Sequence, residues 1–165
     1  MVTEREERLG RILLEKDLLT AEELEKAIGE GKKTGLKLDK VLINLNLVKE
    51  KNIVATLKDY FKIEYIDLKR IKIDDKVLEI LPERIVKKYS IIPVKEEKGK
   101  LTLSMTDPKD ILAIDHVVLI TGFEVIPTVS MESDILEKIE EYYGTKALEG
   151  IIVEDVDIKE VSAEE

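Results

Sequence analysis

An internal duplication constrains this chain more than any other feature. Leu9 recurs as Leu38, Leu13 as Leu42, Leu14 as Ile43, Leu18-Leu19 as Leu47-Val48, Leu24 as Ile53 and Ile28 as Leu57, each after 29 residues. A fixed offset across six apolar sites marks a repeated supersecondary unit, and the spacing inside each copy is helical, with a break before a second helix. The first copy predicts a helix over residues 4–16, ended at Asp17. Thr20-Ala21-Glu22-Glu23 reads as a capping box opening a helix over 21–32, with Leu24, Ala27 and Ile28 inward. After a turn at Thr34-Gly35 the second copy repeats the plan over 38–45 and 49–61. Its second cap is weaker, because Lys49 stands where Thr20 stood.

From about Ile63 the period changes. Glu64 to Leu68 reads as extended, Asp74-Asp75 as the start of a helix through Leu81, and Pro82 as the opening of another through Lys88. Ile91 to Val94 and Leu101 to Met105 form a hairpin turned at Gly99. Asp107 is the expected N-cap of the next helix, with Pro108 at its first position, Asp110 as a first-turn acid and an end near Leu119. Thr121-Gly122 then turns the chain into a strand over 124–129, and Ser130 is expected to cap a last helix from Met131 to Tyr143. The expected fold class is α+β. A helical tandem-repeat subdomain spans 1–62, and a small α+β sandwich with a short sheet of about three strands and helices spans 63–144. Residues 145–165 read as an acidic linker or tail, with Ile151-Ile152-Val153 as a docking strand.

Composition narrows the chemistry. A net charge of -9 over 165 residues argues against a nucleic-acid backbone as partner. The absence of cysteine removes disulfides, thiolate nucleophiles and zinc–thiolate sites. The charged start and the lack of a long apolar run give neither a signal peptide nor a transmembrane segment, so a cytoplasmic protein is expected. Abundant Lys, Glu and Ile without glutamine resemble the composition of heat-adapted proteins. No Gly-x-x-x-x-Gly-Lys-Ser/Thr loop is present, so no phosphate cradle of that kind forms. Asp107, Asp110 and Asp115 lack conventional metal-ligand spacing, and capping accounts for the first two. His116 stands in no arrangement that specifies catalysis, and Lys87-Lys88 suit a helix end.

Taken together, several anchors resemble one family. These are the tandem Arg-Leu-Gly motif with its spaced leucines, Leu81-Pro82-Glu83, Lys87-Lys88-Tyr89, Ile92-Pro93-Val94, the run Leu101 to Pro108, Thr121-Gly122 and Tyr142-Tyr143-Gly144. Over residues 8 to about 144 the chain resembles the N-terminal domain of the assembly ATPases of type II secretion and type IV pilus systems. The resemblance implies a non-enzymatic regulatory and docking module, lacking the ATPase motor. Its implied partners are a platform protein at the inner membrane and a motor ATPase domain.

Some members of the family are receptors for cyclic di-GMP, held by the two tandem motifs. Carried over residue by residue, that site comprises Arg8, Leu9, Gly10, Leu24, Ile28, Lys37, Leu38, Ile53 and Leu57, with no cofactor beyond the dinucleotide and no metal. The second motif departs from the pattern: Lys37 replaces arginine, Asp39 and Asn46 replace glycines, and Tyr60 replaces glutamine. Asp17 and Gly31 are the departures in the first. Asp17 and Asn46 end helices, where either residue adopts the left-handed conformation at modest cost. Asp39 is the damaging change, since it adds bulk and negative charge where a dianion would approach.

Overall fold

The computed structural model describes residues 3–144, and the fold is α+β. The acidic tail and docking strand expected over 145–165 lie outside the described residues. Four helices come first: α1 (Glu4–Glu15), α2 (Ala21–Thr34), α3 (Leu38–Asn44) and α4 (Glu50–Phe61). Their ends follow the sequence closely. Thr20 Oγ accepts from the Glu23 amide at 3.1 Å while the Glu23 carboxylate accepts from the Thr20 amide at 3.0 Å. Lys49 gives α4 no such bond. Asp17 and Asn46, the equivalent breaks, have φ of 57° and 59°, the left-handed conformation expected there.

Short helices α5 (Asp75–Leu78) and α6 (Glu83–Tyr89) lead into strands β1 (Ile91–Glu97) and β2 (Lys100–Met105). These two pair antiparallel across Lys98 and Gly99, both at positive φ as a two-residue hairpin turn requires. Helix α7 (Ile111–Thr121) then crosses over, so that β3 (Glu124–Val129) lies parallel to β2 and the sheet order is β1-β2-β3. Helix α8 (Glu132–Ile139) follows, and its last turn widens to π geometry over Glu140–Gly144.

Two apolar clusters result. One joins Leu13, Ala27, Leu38, Leu42 and Ile53 of the repeat, and the other joins Leu81, Ile85, Ile92, Leu103, Val117 and Ile135 around the sheet. They are not insulated from each other. Met131 and Tyr65, from the later part of the chain, pack into the repeat's cluster. Ion pairs cross the same seam: Arg5 to Glu132 at 3.4 Å, Arg8 to Asp107 at 3.3 Å, Lys40 to Glu137 at 3.6 Å, and Lys69, itself paired with the buried Asp134 on its own side, to Glu50.

Several local expectations need correction. Asp107 does not cap α7. Its carboxylate accepts from the Lys109 amide at 2.9 Å in a preceding turn, and Asp110 is the N-cap, accepting from the Ala113 amide at 3.2 Å. Ser130 does not cap the last helix either. Its hydroxyl donates to the Ile66 carbonyl at 2.6 Å and meets the Ser104 hydroxyl, leaving Met131 as an N-cap residue without a side-chain bond. The segment at Glu64 to Leu68 pairs with β3 only through the Tyr65–Val129 bridge before a 3₁₀ turn at Leu68–Arg70. Helix α5 stops at Leu78 instead of Leu81.

Candidate functional site

The two sequence copies fold alike but stand in different surroundings. At the centre they match: Leu13 and Leu42 are both fully buried, and Ile12 and Val41 are buried beside them. On the outward face they part. Gly10 lets α1 approach α2 so closely that a Cβ there would lie 3.1 Å from both Leu24 δ-carbons. Leu24 and Ile28 remain half-buried beside it. Of their equivalents Leu57 is half-buried too, but Ile53 is fully buried in the cluster that Met131 and Tyr65 join at the seam.

Asp39 distinguishes the second copy chemically, a buried carboxylate where the first copy has the buried Gly10. Its Oδ2 accepts from the Ser133 amide at 3.1 Å, so a side chain of α3 caps the first turn of α8 from another part of the chain. Oδ1 has no hydrogen-bond partner among the described residues. Burial pushes the Asp39 carboxyl up to about 6 and nearby Glu132 adds to the shift, while the hydrogen bonds from Ser133 oppose it. The sequence placed this carboxylate in a ligand's path, whereas the structure turns it inward against α8.

Three cavities surround Glu6. One of about 220 Å³ is lined by Ala27, Ile28, Gly31, Lys32, Lys37 and Leu38 among others, and a second of about 250 Å³ by Gly10, Arg11, Leu14, Leu24 and Ile28. The third, about 40 Å³, lies at the seam and includes Arg5, Arg8, Leu9, Asp39, Leu57 and Thr106. The nine residues carried over from the motif therefore separate. Gly10, Leu24, Ile28, Lys37 and Leu38 line the two larger cavities, which share Glu6 and Ile28, whereas Arg8, Leu9 and Leu57 line the small one and Ile53 is core. Arg8 is engaged within the protein, paired with Asp107 and lying 5.7 Å from the centre of the Phe61 ring.

Sequence reasoning missed two features. Glu6 belongs to a capping box with Thr3, a local signal, yet its Oε2 also accepts from the Leu38 amide at 2.8 Å and ties the two copies together. The other is α7, where Ile111, Leu112, Val118, Leu119 and Ile120 stand exposed although Ala113 and Val117 are buried. A helix apolar all round is ordinarily buried all round, so the run Ile111 to Ile120, broken only by Asp115 and His116, carried a readable signal. His116 itself is structural, its Nδ1 lying 2.8 Å from the Tyr89 hydroxyl. Among the described residues no cluster of three or more His, Asp or Glu could hold a metal, and no helix is long and apolar enough to cross a membrane.

The helical tandem repeat thus meets a small α+β unit along a charged seam, with clefts at Glu6 and an exposed apolar face on α7. The chain belongs to the MshEN domain family, matched over residues 61–148. Among its relatives are the type IV pilus assembly ATPases PilB of Myxococcus xanthus, 29% identical over 96% of this chain, and of Thermus thermophilus, 33% identical over 87%. The type II secretion system protein E of Xanthomonas campestris is 33% identical over 92%. The chain spans only 28%, 16% and 28% of these curated relatives, respectively, and corresponds to the N-terminal part of such ATPases. Among solved structures, the N-terminal domain of XpsE superposes with a TM-score of 0.54 at 28% identity, covering 86% of this chain and 98% of that one. A structure of MshE with cdg shares the fold at a TM-score of 0.54 and 24% identity, covering 82% and 98%.

Proposed function

We propose that this chain is a non-enzymatic regulatory and docking module of a type II secretion or type IV pilus assembly ATPase, and that its partner is a cytoplasmic platform protein at the inner membrane. In this reading residues 1–62 and 63–144 are two subdomains acting as one rigid body, braced by the ion pairs across their seam. The uncovered apolar face of α7 carries the proposal, because so many aliphatic side chains on one helix are costly in water and are ordinarily covered by a partner. Leu119 supplies the test. Calorimetric titration with the cytoplasmic domain of the platform protein is expected to give binding that Leu119→Glu weakens about tenfold or more. Undiminished binding by the variant removes α7 from the interface.

A second reading, a cyclic di-GMP sensor, is favoured by the two adjoining cavities at Gly10, Leu24, Ile28 and Leu38, with Lys32 and Lys37 available to an anion. The engagement of Arg8 by Asp107 and the burial of Ile53 weigh against it. Titrating the chain with cyclic di-GMP, with GTP as control, separates the two. Micromolar or tighter binding specific to the dinucleotide makes the domain a sensor. Absence of heat and of amide shifts leaves docking as its role.

A further inference from the structure

Helix α7 also restricts what can cover it. At about 100° per residue, Val118, Ile111, Leu119 and Leu112 fall on one contiguous stripe. Ile111, Leu112 and Leu119 are 61%, 75% and 82% exposed, so the stripe is open along its length. Asp115 lies at its centre, both along the axis and across the face. The Asp115 carboxylate is exposed and makes no ion pair among the described residues, while its neighbour His116 is held by Tyr89.

That placement sorts the possible occupants. A second copy, paired symmetrically through the stripe in either sense, sets Asp115 against Asp115 and removes two like charges from water together. An anionic membrane surface meets the same carboxylate head on. Complementarity instead requires an aliphatic surface with a positive charge at its middle.

Resting on the docking reading above, we infer that the α7 face receives an amphipathic helix from a different protein. Its apolar stripe carries a single lysine or arginine that pairs with Asp115. The aliphatic contacts supply most of the affinity, and the buried pair supplies register and selects against self-association.

Two synthetic helical peptides test this. They share one aliphatic stripe and differ only in carrying arginine or glutamate at its centre. Titrated into the isotope-labelled full chain, the arginine peptide is expected to shift amide signals along α7 and to bind about tenfold more tightly than its glutamate twin. Asp115→Lys should reverse that order, and Leu119→Glu, a change at an exposed site that leaves the fold intact, should abolish both. Equal affinities, or shifts away from α7, overturn the inference. So does a wild-type dimer in sedimentation that Leu119→Glu renders monomeric, which identifies the occupant as a second copy, or α7-dependent binding to anionic phosphatidylserine vesicles. If the platform domain binds while neither peptide moves α7, docking stands and this partner chemistry falls. If a peptide binds as described and the platform domain does not, the reverse holds.

Discussion

Ile53→Ala is expected to destabilise the folded chain by about 3 kcal/mol, whereas Leu24→Ala, the same position in the other copy, should cost about 1 kcal/mol. Ile53 is fully buried, and truncating it leaves a cavity that rigid neighbours cannot collapse into. Leu24 is half-exposed beside an existing cavity, so its loss forfeits only part of a transfer term. Urea unfolding of the two variants measures the difference directly. Equal costs would mean that the seam does not bury Ile53 in solution.

Asp39→Asn should stabilise the protein at neutral pH, by about 1–3 kcal/mol at pH 7.5, and the gain should vanish in acid. The sign follows from the direction of the shift. Burial raises the folded carboxyl to about 6, above its unfolded value near 3.8, so the folded state binds this proton more tightly than the unfolded one does. Its favourable contribution is complete below about pH 4 and is lost as pH rises through about 6, beyond which a buried charge must be maintained. Asparagine keeps an acceptor for the Ser133 amide without that charge. Unfolding curves at pH 4, 6 and 7.5 should show the variant's advantage growing with pH. A loss of stability at pH 7.5 would show that the cap on α8 depends on the full negative charge.

Much of the fold was legible because it is governed within a turn or two of chain. The capping box at Thr20, the left-handed breaks at Asp17 and Asn46, the hairpin at Gly99 and the leucine spacing of both repeats each rest on side chains acting on nearby backbone. Where an expected cap did not form, the polar atom had found another partner. Ser130 was drawn to Ile66 and Ser104, and Asp107 to its own turn and to Arg8. The unequal surroundings of Leu24 and Ile53 were not legible, because the cluster that Met131 joins from the later part of the chain buries only the second fully.

The sequence by itself determined two helical copies, a hairpin with a third strand, and the family to which they belong, since periodicity and caps are properties of neighbouring residues. Only the tertiary structure decided that Asp39 faces inward as a cap, that Arg8 is paired, and that α7 keeps an open apolar face. Those outcomes depend on which surfaces α8 and the sheet occupy, and burial is a property of the packed whole.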